Sequence, residues 1–163
     1  MSIHTLLTPI RLGAIQLPHR IVMATLTRMR ADRNGVPGPL NAEYYAQRAT
    51  AALIITEATA ISTQGRGIPH MPEIHTRAQI EGWRGVVASV HARGGRIVLQ
   101  IVHNGRASHV AYTPDGGLPV GPSAIAIVGK VYLPDFSFAD YQTPRALFIE
   151  EIRLLWKRFD RLL

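Results

Sequence analysis

A chain of 163 residues is long enough for one domain with a sizeable core, and 47% apolar against 18% charged residues is a globular composition, not a disordered one. Eighteen Lys and Arg against eleven Asp and Glu leave a net charge of +7. The arginines are scattered from Arg28 to Arg106 and gather on no single helix, so no nucleic-acid surface is expected. With no cysteine at all, disulfides, thiolate metal sites and cysteine nucleophiles are excluded.

The opening Met1 to Pro9 has no basic stretch followed by a long apolar one, so it does not read as a signal peptide. No window approaches roughly eighteen uninterrupted apolar residues, the length a membrane helix needs. The default expectation is a soluble cytoplasmic protein. Residues 11–17 predict a small hairpin with its turn near Gly13-Ala14. Arg20-Ile21-Val22-Met23-Ala24 reads as a first apolar strand, and Leu40 to Ala49 suits a helix. Ala52-Leu53-Ile54-Ile55-Thr56 is a continuous apolar run, the pattern of a strand covered on both faces.

A long loop, Ala60 to His75, comes next. Thr76 with Gln79 predicts a capping box, after which Ile80, Trp83, Val87 and Val90 fall on one helix face. Gly94-Gly95 predicts the stop, because glycine takes the left-handed conformation that closes a last helical turn. Arg96 to Ile101 is a third strand. Asn104 to Thr143 is rich in Gly and Pro with no clear helix, and loops of that length are usually functional or disordered. Glu150 to Leu163 predicts a final helix with Ile152, Leu155, Phe159 and Leu162 on one face. Glu150 and Glu151 lie at the end its dipole favours, and Arg158 and Arg161 lie near the other. An apolar face of Leu155, Phe159, Leu162 and Leu163 needs a partner.

Alternating strands and helices predict a parallel α/β sheet, and three strands alone would leave two long unpaired edges. The polar residues cluster where these strands end: Ala24-Thr25-Leu26-Thr27-Arg28, Thr56-Glu57-Ala58-Thr59 and Gln100-Ile101-Val102-His103-Asn104. In parallel α/β folds that rim is where ligands bind. The plainer alternative is that Thr27 and Thr59 cap loops and His103 is a satisfied rim histidine. No G-x-G-x-x-G follows a strand and no Walker A loop is present. The pairs His70/His75 and His103/His109 lack helical zinc spacing and an acidic ligand, so no metal is expected.

Taken together, several stretches resemble the Old Yellow Enzyme family of flavin-dependent oxidoreductases, especially the bacterial alkene reductases that include N-ethylmaleimide reductase. They are Leu17 to Ala24, Leu26-Thr27-Arg28, Ala42 to Ala49, Ile54 to Thr59, Gly82-Trp83-Arg84, Val90 to Ile97, His103 to Arg106, Gly121 to Ile125 and Thr143 to Leu147. The resemblance covers roughly residues 5 to 155. It implies that residues 1–163 are the N-terminal portion of an FMN-dependent barrel. The fold would be α/β, a partial TIM (β/α)8 barrel of three β/α units with an N-terminal hairpin and a long loop after the third strand.

The resemblance also implies a chemistry. NAD(P)H reduces FMN, and hydride passes from the flavin to an activated, electrophilic alkene. By that likeness Thr27 is the hydroxyl near flavin O4, Ala58 the small residue that lets the ring lie close, and Gln100 the amide reading the pyrimidine edge. Ala24 and Thr25 line the ring. This chain has Thr25 where the family usually has proline, and Ile101-Val102 where it has a leucine-aromatic pair. Substrate-holding residues on the fourth strand and phosphate contacts on the seventh and eighth are not among these residues, so no catalytic residue is assigned. Two readings follow: an impaired ene-reductase portion, or a non-catalytic remnant or self-associating module, with weak or no flavin binding, that uses its last helix to find a partner. Substrate identity and the choice of NADH or NADPH stay open.

Overall fold

The computed structural model describes residues 3–162. A one-turn helix α1 (Ile3–Leu6) leads into a hairpin of β1 (Ile10–Leu12) and β2 (Ile15–Leu17). Its turn falls at Gly13, where φ of +57° suits a residue without a Cβ. Then β3 (Val22–Met23), β4 (Leu53–Ala60) and β5 (Ile97–Val102) form a parallel sheet in that order. The crossovers run through α2 (Pro39–Ala46) and α3 (Arg77–His91). This is the expected βαβαβ unit.

The strand bounds depart from the apolar runs. Only Val22 and Met23 of the expected first strand are laddered, opposite Leu53 and Ile54. In contrast, β4 runs four residues past Thr56, through a segment whose polar side chains read as a strand tip. Those side chains are buried and hydrogen-bonded, which lets the ladder continue. The sheet has one long free edge, β5, while the other edge is the two-residue β3 rather than a second long one.

The core lies between the sheet and the two helices. Tyr45 and Ala49 from the α2 side, Ile54 of β4, and Trp83, Val86 and Val90 of α3 form one buried cluster. Each such fully buried large side chain stabilises the fold by roughly 1.5–3 kcal/mol. A second cluster of Leu17, Ala52 and Leu53 seats the hairpin against the start of β4.

The inward face of α3 differs in phase from the sequence expectation. Gln79, Trp83, Val86 and Val90 are buried, while Ile80 is 37% exposed and Val87 is half-buried. A polar residue takes an inward slot because its amide is saturated. Gln79 Oε1 accepts the backbone N–H groups of His75 and Thr76, each at 2.9 Å, and Nε2 donates to the Asn34 carbonyl at 2.8 Å. Thr76 Oγ1 accepts from Gln79 N, which completes the expected capping box. At the other end Gly94 has φ of +72°, and Gly95 N donates to the Val90 carbonyl. A Cβ on Gly95 would stand 2.9 Å from both the Cβ and the carbonyl oxygen of Ala49, so only glycine fits.

The long segment after β5 holds no α-helix, but it is not irregular throughout. β6 (Val120–Gly121) pairs in parallel with β9 (Arg145–Ala146), and β7 (Lys130–Tyr132) pairs antiparallel with β8 (Phe138–Asp140). The final helix α4 (Ile149–Asp160) begins where Glu151 accepts Phe148 N and binds Arg145 through both guanidinium nitrogens. None of its residues is buried; Ile152 and Trp156 are 45% and 67% exposed. Leu163, expected on its apolar face, lies outside the described residues. Among the described residues no helix is long and apolar enough to cross a membrane.

Candidate functional site

The C-terminal ends of β3, β4 and β5 come together at one rim. Along β4, Ile55 faces Val98 and Ala58 faces Gln100, three steps against two, so β4 carries one extra residue at Thr56–Glu57. Such a bulge turns a side chain out of its usual alternation. Here the Thr56 hydroxyl accepts Gln100 N at 3.0 Å, a ladder bond that the bulged backbone leaves open. The same hydroxyl donates to the Glu57 carbonyl.

Beyond the bulge Ala58 and Gln100 lie directly opposite each other, both half-buried. The chain leaving β3 reaches the same end by another route. Arg28 N donates to Glu57 Oε2 at 2.9 Å, which places Thr27, one residue before Arg28, beside the residue preceding Ala58. Ala24 and Thr25 are exposed on the extended stretch between β3 and that bond. The side chains of Thr25, Thr27 and Gln100 make no hydrogen bond to any other described residue, so their polar groups are free for a ligand. Ala58 and Gln100 are thus paired by strand register, the Arg28–Glu57 bond ties the chain next to Thr27 to β4, and Ala24 and Thr25 lie on the exposed stretch before it.

The bond that gathers them rests on a buried carboxylate. Glu57 also accepts from Asn41 Nδ2 at 3.2 Å and from the Tyr45 hydroxyl at 3.3 Å, and its own N–H donates back to that hydroxyl at 2.8 Å. Burial pushes the Glu57 carboxyl above its ordinary value, against the opposing pull of the Arg28 N–H, Tyr45 and Asn41. Burial, with the Glu57 charge, pushes the Tyr45 phenol strongly upward.

A second buried carboxylate organises the loop after β4. Glu73 accepts from Arg66 Nε and His75 Nε2, and its backbone N donates to the Gly35 carbonyl at 2.9 Å. Its own carbonyl accepts Trp83 Nε1 at 3.2 Å. His103, at the end of β5, is satisfied on one side only. Its Nδ1 accepts Gly105 N at 3.0 Å, so the ring proton sits on Nε2, which is buried without a partner. Burial, and then the charge of Arg158, lowers its pKa.

Three cavities open nearby. One of about 470 Å³ is walled by Arg33, Arg66, His70, Tyr112 and Asp135, and one of about 660 Å³ lies between the 61–64 turn and the end of α4. The third, of about 200 Å³, surrounds Tyr44, whose ring Arg28 and Arg48 flank at 4.0 and 3.8 Å. None of the five expected residues lines these three cavities. Among the described residues no group of three or more His, Asp or Glu side chains is placed to hold a metal ion.

Comparison with known proteins settles the lineage of the chain. The profile of the NADH:flavin oxidoreductase / NADH oxidase family matches residues 5–161. The chain belongs to that family. It is 43% identical over 150 residues to 12-oxophytodienoate reductase 7 of Oryza sativa subsp. japonica, covering 90% of this chain and 38% of that one. It superposes on morphinone reductase in complex with tetrahydroNAD with a TM-score of 0.88 and 48% identity, over 94% of this chain and 44% of the other. With the Old Yellow Enzyme homologue of Zymomonas mobilis the TM-score is 0.90 at 44% identity, over 95% and 43%. The chain therefore spans about two-fifths of the length of these relatives. In this flavin oxidoreductase family its three parallel strands form an unclosed part of a (β/α)8 barrel.

Glu57, Tyr45 and Glu73 were not singled out by reading the family-like stretches for ligand contacts. A carboxylate inside an apolar strand is itself a signal, since such a group is rarely buried without partners. The partners, on α2 and on the chain after β3, are not adjacent to it in sequence.

Proposed function

We propose that these residues form the first side of an FMN-binding rim in an NAD(P)H-dependent reductase of electrophilic alkenes. The single observation that supports this is the meeting of Ala58 and Gln100 across the sheet, with Thr27 held alongside by the Arg28–Glu57 bond. The residues suit the group. A planar ring needs a small neighbour, which Ala58 is, and polar partners at its edge, which the uncommitted Thr27 hydroxyl and Gln100 amide are. Ala24 and Thr25 would complete the wall. Bound flavin supplies the hydride chemistry; the chain's own residues orient it and tune its edge by hydrogen bonding.

Efficient hydride transfer requires the cofactor and the alkene to be held within a few ångströms of each other in a fixed orientation. These 163 residues offer one wall of that arrangement, so on their own they hold FMN weakly and turn over little. Titration of the purified chain with FMN, followed by flavin fluorescence, tests this. Dissociation constants well above ~1 µM are expected, with further weakening in Gln100→Ala and Thr27→Val. Submicromolar binding with NADPH-dependent bleaching of the flavin overturns the reading of weak binding, and binding unaffected by either substitution overturns the site.

The bare face of α4 favours a second reading, in which the chain self-associates. Phe148, Ile149, Leu154 and Trp156 are each at least 60% exposed, large apolar side chains on and beside α4 that another copy could cover. Light scattering during size exclusion tests this, and a 17.9 kDa monomer at micromolar concentration counts against self-association. The cytoplasm is the compartment that fits a cysteine-free chain of this composition and a nucleotide reductant.

A further inference from the structure

The cleft of about 660 Å³ beside α4 is unusual in its charge. It is lined by Arg158 and Arg161, by the half-buried Ser62, Thr63 and Gln64, and by His75, with no carboxylate in its wall. His75 Nε2 is committed to Glu73. Neither arginine pairs with a carboxylate among the described residues. Their two full charges outweigh the partial negative charge of about half a unit at the end of α4. Two like charges facing one cleft repel each other unless an anion sits between them.

The uncharged part of the wall is mixed: Ile61, Ile74, Ile80, Leu118 and Leu162 supply apolar surface, and Ser62, Thr63 and Gln64 supply hydrogen-bonding groups. Ser62 Oγ accepts Gly65 N and keeps its own proton to give, while the Thr63 hydroxyl and Gln64 amide bond to no other described residue. Cations and unpaired donors therefore converge on one space, whose size is that of a small-ligand site.

We propose that this cleft binds a phosphate-class dianion, clamped by Arg158 and Arg161 and hydrogen-bonded by Ser62, Thr63 and Gln64. Paired arginine forks match the oxygens of such an anion better than any neutral ligand would. Free phosphate and the phosphate monoester of a nucleotide share this chemistry. The proposal does not depend on the flavin rim.

Calorimetric titration of the full chain at low ionic strength with inorganic phosphate, NADP+ and NAD+ tests it. Saturable one-to-one phosphate binding is expected, weakened roughly tenfold or more in Arg158→Gln and in Arg161→Gln. Arg93→Gln, an exposed arginine outside the cleft, leaves it unchanged. Arginine-dependent preference for NADP+ over NAD+ identifies a nucleotide phosphate monoester as the occupant, and saturable binding of inorganic phosphate with neither dinucleotide bound identifies free phosphate. Should a glutamine variant lose helicity by circular dichroism, the lysine substitutions replace it, with several-fold weakening expected because charge is kept and the fork is lost. Absence of saturable binding of any of the three, or equal weakening by Arg93→Gln, overturns the proposal.

Discussion

The Glu57 carboxylate accepts the backbone N–H of Arg28 at 2.9 Å, spanning the gap between the chain that leaves β3 and the bulged end of β4. That one bond aligns two segments that the short β3 ladder alone would hold loosely. Removing the acceptor in Glu57→Ala leaves the Arg28 N–H, the Asn41 amide and the Tyr45 hydroxyl short of a partner. A loss of roughly 2–3 kcal/mol in urea unfolding is expected, since each buried orphan is costly. A loss below about 0.5 kcal/mol, the size of an ordinary surface substitution, would show that the network is not what holds the rim.

Glu57 also sets a pH dependence. Its folded-state pKa is raised by burial, so between the ordinary and the raised value the folded chain holds a proton that the unfolded chain releases. The carboxyl's contribution to stability is then fully present below the ordinary carboxyl value of 4.5 and is lost as pH rises through the raised folded value. Melting curves recorded upward from pH 4.5 should show this decline, and Glu57→Gln, which cannot titrate, should flatten it. An unchanged slope in Glu57→Gln would assign the dependence elsewhere.

The opposite sign applies at the start of α4. The Arg145 guanidinium, with the Phe148 N–H, holds the Glu151 carboxyl down at about 2. This ion pair contributes stability above pH 4.5 that disappears as pH falls toward 2. Carboxyl carbon NMR titration should return Glu151 toward 4.5 in Arg145→Gln. Because the pair is exposed, salt should weaken the shift.

The phase of α3 is open to a paired substitution. Val86 is 1% exposed and belongs to the core cluster, whereas Val87 is half-buried. Val86→Ala should cost roughly 2 kcal/mol, and Val87→Ala distinctly less. Equal costs would restore the face first expected from the spacing.

Gly35 is the last case. It has φ of +72°, and a Cβ there would stand 2.7 Å from Glu73 Cγ. Gly35→Ala therefore combines left-handed strain with overpacking against a buried carboxylate, and a cost of roughly 2–4 kcal/mol in chemical denaturation is expected. A neutral effect would mean the Glu73 side chain can move aside without losing Arg66 and His75.

Much of this arrangement was legible in the residues. Apolar runs placed all three main strands, the Thr76–Gln79 spacing placed the helix start, and Gly94-Gly95 placed its end, because each is a local rule of backbone and capping chemistry. The resemblance named Ala58, Gln100 and Thr27, and strand register sets the first two opposite each other. The inward face of α3 was not legible, since period fixes which residues share a stripe but not whether a polar one with saturated partners can sit within it. The extra length of β4 was missed for a related reason. Thr56, Glu57 and Thr59 look like a solvated tip until their partners on neighbouring segments are known.

Local chemistry in the sequence by itself determined the order of strands and helices, the parallel class of the sheet and the caps of α3. Only the tertiary structure decided where the buried charges go: Glu57 onto Arg28, Asn41 and Tyr45, and Glu73 onto Arg66 and His75. The physical reason is desolvation. A carboxylate can enter the interior only where donors from distant segments converge on it, and that convergence exists only once the chain has folded.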